Sequence, residues 1–420
     1  MTHQVALTIT GSVAPERVPE LERVLATMAK DPGHNPVIPF ADLPHTHFAR
    51  VVILEPGSGG NASATLLVTL DCDASAKRRL RELVDLAGAG LDELFGACPD
   101  YPGTPDASSR LAFLRSHLQD SQVFYVHAVG RTLDQVRDEA RLRVAVEDYL
   151  DQRVDFLDSL TPHQVRAKLV ELVAADPALS WALVPPKAPA LSWRLRETAH
   201  KIAVPALLVI TLPVGVPAAV IWLLALRWHE RTDPFPEVEP PADQLRALGD
   251  SEDFVTQNAF TSLAPIRPGR FWRLTSRLTE LVGNYTARHV FTNGDLSGLT
   301  TVHFARFMRV GPEQHVLFTS YYDGSLESYN NDFVDQVAWV LNTVFGQQAG
   351  YPRTRWMVRD GAHNERWFKN FIRGHQVPTQ VWFSAYPDLA AVTIDENARL
   401  RKGLSGELDG EELLAWLRLL

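Results

Sequence analysis

Residues 67–102 align without a gap onto residues 317–352, and eleven of the thirty-six pairs are identical, among them Thr69/Thr319, Asp73/Asp323, Ser75/Ser325, Phe95/Phe345, Gly96/Gly346 and Tyr101/Tyr351. A second ungapped block sets Phe113 to Arg143 against Phe371 to Arg401. It shares FxRxH (Phe113, Arg115, His117; Phe371, Arg373, His375) and ARLR at 140–143 and 398–401. The tetrapeptide HFAR also returns, at His47 to Arg50 and His303 to Arg306. The chain is therefore a tandem duplication, so whatever one half folds into, the other half folds into as well.

Periodicity predicts the unit. In the first copy VALTITGSV reads as a strand and PERVPELERVLATMAK as an amphipathic helix. HFARVVIL and ATLLVTLD follow as two strands, separated by the Gly-rich GSGGNAS. A long helix from about Ser75 to Gly96, the strand QVFYVHAV and a trailing helix carrying ARLR complete it. The second copy repeats the order, which is the βαββαβ, ferredoxin-like pattern. Such a sheet carries helices on one face and must cover the other. Two copies can cover each other sheet to sheet, and in this the topology resembles the dimeric α/β barrel superfamily, whose members hold ligands between the sheets. The expected fold is α+β: two tandem ferredoxin-like repeats packed as a pseudo-dimeric α/β barrel, with a hydrophobic membrane segment between them.

That segment, Ile202 to Leu226, has twenty-five residues with no charge and only Thr211 as a polar side chain, long enough for a bilayer core. Pro213 and Pro217 invite a break in its middle, and Arg194, Arg196, Lys201, Arg227 and Arg231, with Lys187 further upstream, place both ends on the cytoplasmic side. A full span would separate the repeats, so a kinked hairpin anchor is favoured. Trp181, Trp193, Trp222 and Trp228 flank the anchor as interfacial aromatics do. The resulting division is repeat 1 over 1–150, a helical and Pro-rich linker over 151–200, the anchor over 201–230, a Pro-rich acidic linker over 231–250 and repeat 2 over 251–420. The expected location is the membrane, with both repeats on the cytoplasmic side.

A formal charge of −9 supplies no basic face for phosphates and argues against a nucleic-acid partner. Cys72 and Cys98 have neither disulfide nor metal-ligand spacing and read as free thiols in a reducing compartment. The start MTHQVALTIT lacks the pattern of a secretory signal. GSGG at 57–60 lacks the Lys-Ser/Thr of a P-loop, HExxH and CxxC pairs are absent, and no metal site is expected.

Strand alternation sorts the candidate site. A hairpin turning near GPEQ pairs Phe304 with Tyr321, Arg306 with Thr319 and Met308 with Leu317 on one face; His303, Ala305, Phe307, Phe318 and Ser320 go to the other. The matching face of the first copy holds Phe48, Arg50, Val52, Leu67 and Thr69. Arg50 and Arg306 then point between the sheets, where an arginine can anchor a carboxylate, a phosphate or a haem propionate. Thr69, Phe304, Thr319 and Tyr321 would line the same ligand site, with Arg373 of FxRxH beside them. Asp73 and Asp323 precede helices and read as caps, with Asp323 also a catalytic candidate beside Arg306 and His375.

Ser320-Tyr321-Tyr322-Asp323-Gly324 is similar to the GxxDG motif of dye-decolourising peroxidases, with Ser320 in place of the first Gly. That likeness would imply haem, with His117 or His127 as ligands. HFAR, FTSYYDGSLESYNNDF and the Pro-interrupted apolar linker followed by HERTDP resemble a group of bacterial membrane-associated proteins with duplicated ferredoxin-like halves, a likeness that covers nearly the whole chain and brings no activity with it. The expected function is a membrane-surface oxidoreductase acting on a lipid-derived or other apolar substrate, for which the likeness to dye-decolourising peroxidases would imply haem-dependent, peroxidase-like chemistry. The alternatives are a non-catalytic carrier of a small amphiphile and a structural scaffold. Membrane lipid and a small amphiphilic ligand are the expected partners.

Overall fold

The computed structural model describes residues 4–420 apart from 56–62, 154–159, 186–190, 251, 254, 292–293, 295, 297 and 312–314. GSGG at 57–60, Lys187 and most of the 311–314 turn lie outside the described residues, as do the side chains of Trp193 and Arg196.

Repeat 1 runs β1 (Gln4–Val13), α1 (Val18–Met28), β2 (Thr46–Leu54), β3 (Ala64–Asp73), α2 (Ala76–Phe95), α3 (Ala107–Ser116), β4 (Val123–Val126) and α4 (Leu133–Asp151). After it come α5 (Pro162–Ala175), α6 (Leu191–Thr232) and α7 (Ala242–Gly249). Repeat 2 runs β5 (Gln257–Pro265), α8 (Arg270–His289), β6 (Val302–Val310), β7 (His315–Asp323) and α9 (Leu326–Phe345), then the short pair β8 (Thr354–Arg355) and β9 (Arg359–Asp360). It closes with α10 (Glu365–His375), β10 (Val381–Ser384), α11 (Ala391–Ser405) and α12 (Gly410–Leu417). The duplication extends to detail: α2 departs from helical geometry at Ala87 and α9 at the matching Val337.

The last strand of each repeat leaves its own sheet. One sheet has the order β1-β3-β2-β10 and the other β4-β6-β7-β5. β10 of repeat 2 lies antiparallel to β2, with Phe383 opposite Ala49. β4 of repeat 1 lies antiparallel to β6, with Tyr125 opposite Ala305. Each crossing chain first touches its own repeat, through the isolated bridges Ile9–Leu118 and Ser262–Gln376, and then continues into the other sheet. Gln4 holds the chain beyond β4 by donating to the Ala128 and Arg131 carbonyls; Gln257 does the same beyond β10 at Tyr386 and Leu389.

The expected barrel is not formed. The described residues form an α+β fold with three open sheets, two of four strands and one of two. The reason lies at the β1 and β5 edges. Each receives one isolated bridge rather than a ladder, so hydrogen bonding does not run on from one sheet into the other. Packing joins the sheets instead. Val52, Leu54 and Leu67 meet Leu263, Met308, Val310 and Leu317 between them, so β2 and β3 are buried on both faces. Outside, α1, α2 and α3 cover one sheet and α8, α9 and α10 the other. The trailing helices α4 and α11 pair with each other, and α5, α12 and Trp181 close a separate apolar cluster over them.

The ARLR repeat belongs to this pairing. Arg143 donates to Asn397, and Arg401 reaches Glu139 at 3.3 Å. Glu139 and Asn397 occupy matching positions, so the two contacts are one contact seen from each side of a pseudo-twofold axis. Burial pushes the Glu139 carboxyl above its ordinary range, with Gln135 and Arg401 pulling against it.

α6 is one continuous helix through Pro205, Pro213 and Pro217; no hairpin reversal occurs at Pro213–Pro217. Both of its ends are tied to α8. His289 bonds Glu197 at 2.8 Å, Trp222 Nε1 donates to Thr275 Oγ1 at 3.1 Å, and the His229 ring stacks on Phe271. The outer ties, Glu197–His289 and His229–Phe271, lie about 48 Å apart along α6 and about 27 Å apart along α8, at 1.5 Å per residue. The two helices therefore do not match along their lengths, and the apolar middle of α6, from 202 to 221, stands exposed with only Val204 partly covered.

Candidate functional site

Arg50 and Arg306 lie where alternation puts them, between the sheets, and both are almost completely buried. Neither is open to a ligand. Arg50 donates from Nη1 to the Phe260 carbonyl at 2.7 Å and to Thr261 Oγ1 at 2.8 Å, from Nη2 to the Ser320 carbonyl at 2.8 Å, and from Nε to the Tyr321 hydroxyl at 3.1 Å. Its guanidinium also lies 4.2 Å from the centre of the Tyr321 ring. Arg306 mirrors it, donating from Nη1 to the Leu7 carbonyl and Thr8 Oγ1, both at 2.9 Å, and from Nη2 to Asp71. Thr8 and Thr261 are matching residues, each opposite the duplicated Thr69 or Thr319. Asp71 and Tyr321 match as well, but repeat 1 answers Arg306 with a carboxylate, whereas repeat 2 answers Arg50 with a phenol and the Ser320 carbonyl.

A buried guanidinium is tolerated only if its donors are satisfied. Here each arginine spends them on the opposite repeat, which makes it a clamp rather than an anion receptor. Burial pushes the Asp71 carboxyl up against the lowering pull of Arg306 and Arg50, and it raises the Tyr321 phenol too. Thr69 pairs in register with Arg50, and Thr319 with Arg306; both are buried within the same layer. Phe304 and Tyr321 pack against Phe48 from the opposite sheet, with ring centres 5.5 and 4.3 Å away.

At the far end of the layer the structure gathers residues that alternation assigned elsewhere. β2 and β6 each carry a bulge, between Thr46 and Phe48 and between Val302 and Phe304. The extra residue is the histidine of HFAR. Such a bulge re-aims a side chain, and His303, expected among the helix-facing residues, turns so that its ring lies 5.5 Å from that of Phe48. His47 Nε2 donates to Asp73 at 3.0 Å, and His303 Nε2 donates to Asp323 at 2.7 Å. The other oxygen of each aspartate accepts a helix N-terminal amide, Leu133 of α4 for Asp73 and Ala391 of α11 for Asp323. The two aspartates thus act as caps, but for the trailing helices rather than for the helices that follow them in sequence. Asp323 is therefore bound to its histidine and its helix.

Symmetry breaks around this pair. The Tyr386 hydroxyl donates to His47 Nδ1 at 3.1 Å, and its matching residue is Ala128. His127 bonds Asp395 at 2.8 Å, and Arg131 reaches the same carboxylate at 2.7 Å. Burial opposes ionisation of Asp395, but His127 and Arg131 outweigh it and hold the group below its ordinary value. Burial raises the Tyr386 phenol well above its usual range. His47, His127, His303, Phe304 and Tyr386 enclose a cavity of about 10 Å³, room for one water molecule and no substrate.

The remaining candidates lie apart from both clusters. His117 and His375 end α3 and α10, where each Nδ1 donates to the carbonyl four residues earlier, Phe113 or Phe371, at 2.9 Å. This is what the duplicated FxRxH does: it closes a helix C-terminus. His117 also bonds Asp100 at 2.7 Å, and burial holds the His375 imidazole below its ordinary value. His375 borders an open groove of about 750 Å³ with His315, Gln244 and Gln380. Arg373 pairs with Glu252 at 2.6 Å and with Gln376.

The haem and peroxidase-like expectation is overturned by these positions. The space between the sheets is filled by Arg50, Arg306 and their aromatic neighbours. His117 and His127 are engaged by aspartates, and His375 by its own helix. The described residues contain no group of three or more His, Cys, Asp or Glu placed to hold a metal. Cys72 and Cys98 are free and buried, and burial pushes both thiols up to about 12, which makes them unreactive. Comparison with protein-family models, with curated proteins and with solved structures gave no match.

His47, His303, Tyr386, Asp71 and Asp395 escaped the sequence reading. For the histidines a signal existed: HFAR and the aspartates at 73 and 323 are duplicated together, as a bonded pair would be. Tyr386 and Asp395 sit on one copy only, so the repeat could not reveal them.

Proposed function

We propose that the chain is a membrane-surface scaffold: a rigid double repeat laid against a bilayer by α6, with no substrate between its sheets. The observation that carries this reading is the filled inter-sheet layer, in which each buried arginine donates several hydrogen bonds to the opposite repeat. A carrier would keep that layer open for its cargo. α6 supports the membrane half of the reading, since its uncharged middle exposes Leu207, Leu208, Val209, Ile210 and Ile221 to the surroundings, a surface a soluble protein rarely leaves bare. Because both ends of α6 are tied to α8, a crossing would put one body on two sides of the membrane. The helix is read instead as sunk along one leaflet, since its middle is uncharged and exposed on every side, with Lys201, Arg227 and Arg231 near its ends suited to headgroups.

The test is flotation with lipid vesicles together with mass spectrometry of a solvent extract of the detergent-purified chain. The full chain should float, a variant with residues 202–226 replaced by a Gly/Ser linker should not, and the extract should hold no stoichiometric small molecule beyond bulk lipid and detergent. A stoichiometric amphiphile, or a linker variant that floats as well as the full chain, overturns the proposal.

A further inference from the structure

α8 is built inside out. Its protein-facing side is made of small and polar residues, Thr275, Ser276, Thr279, Gly283 and Ala287, with Trp272 at one end. Gly283 permits the close approach to β4, since a Cβ there would stand 3.3 Å from Val123. Its outward side carries Leu274, Leu278, Leu281 and Val282, exposed at between 43% and 67%. The spacing i, i+4, i+7, i+8 places these four in one stripe. Water alone would select the opposite arrangement, because an amphipathic helix turns its apolar stripe to the core. Something apolar covers this stripe when the protein works.

Two further observations identify the cover. The stripe is continuous with α6, which is tied to α8 at Thr275, Phe271 and His289 and exposes its own apolar middle alongside. Arg270, Arg273, Arg277 and Arg288 are all exposed on the same helix, and at about 100° per residue they fall in a band along the other edge of the stripe. An apolar stripe with a basic border on one side and protein on its third face is the arrangement of a helix seated at a bilayer surface, its leucines among acyl chains and its arginines among anionic headgroups. A partner protein would be expected to answer four arginines with a fixed acidic patch, whereas a lipid surface answers them with any anionic headgroup.

We infer that α8 is a second membrane-contacting element, one that selects anionic lipid. This rests on the reading of the chain as a membrane-surface protein, and the test separates the two. Single cysteines are introduced at Leu278 in α8 and at Val209 in α6, each labelled with an environment-sensitive fluorophore in the full chain; the buried Cys72 and Cys98 stay unlabelled in the folded protein. The chains are bound to phosphatidylcholine vesicles with and without phosphatidylglycerol, and quenching by lipid-attached groups is read. Both positions should be quenched, and Arg273→Glu with Arg277→Glu should weaken binding to the anionic vesicles by about tenfold or more while leaving binding to phosphatidylcholine alone unchanged. Quenching at Val209 without quenching at Leu278 overturns the role of α8 and leaves the anchor standing; quenching at neither overturns both. Equal loss on both vesicle types in the charge variant would mean that α8 does not read headgroup charge, and it too overturns the inference.

Discussion

A guanidinium withdrawn from water costs several kcal/mol unless every N–H finds an acceptor, and this fixes how the two central arginines can be used. Arg306 ties β6 to the Leu7 carbonyl, Thr8 and Asp71 of the other repeat. Arg306→Ala leaves Asp71 buried without its main partner and opens a void, so it should destabilise the protein by about 3–5 kcal/mol. Urea denaturation of the purified chain measures this directly. A variant that unfolds at the same urea concentration as the parent would mean that Arg306 is not a clamp and would revive a ligand role. Alternation was enough to place Arg50, Arg306, Thr69, Thr319, Phe304 and Tyr321 in one layer. It could not say whether that layer is open or closed, because closure depends on acceptors such as the Phe260 and Leu7 carbonyls, which belong to the backbone and carry no residue signature.

At the scale of elements, the exchange of β4 and β10 decides the architecture. An edge strand offers a free row of backbone groups to any neighbour, and here each repeat completes the other's sheet. Periodicity located VFYV and VWFS correctly as strands, and the duplication made them equivalent. Neither could reveal the partner, since β4 would show the same alternation beside β1 as beside β6. Bulges are equally silent in sequence: one extra residue in each strand turns His303, expected on the other face, and its counterpart His47 into the inter-sheet layer. α6 departs from expectation for a related reason. Proline at 213 and 217 removes two donors, but an exposed helix with ten or more residues on either side absorbs the loss as a continuous element. Exchange makes a firm statement about the halves. Residues 1–150 and 251–420 expressed separately should each lack a stable monomeric fold, and mixing them should restore a one-to-one complex seen by size-exclusion chromatography and circular dichroism. A half that folds alone as a monomer would show that its fourth strand can return to its own sheet.

For the molecule as a whole, the paired bonds Arg50/Arg306, Gln4/Gln257, His47–Asp73/His303–Asp323 and Arg143–Asn397/Arg401–Glu139 describe one pseudo-twofold body rather than two domains on a string. α6 interrupts this body in sequence but not in space, as both its ends return to α8. In the proposed reading the repeats are clasped together on one side of the membrane, and labelling of Glu16→Cys in repeat 1 and Glu327→Cys in repeat 2 tests this, since both positions are exposed and the native thiols are buried. In sealed vesicles of a single orientation, a membrane-impermeant maleimide should reach both cysteines or neither, and the pattern should invert when the orientation is reversed. Labelling of one cysteine from outside and the other only after the vesicles are opened would contradict the clasp and the single-sided anchor together.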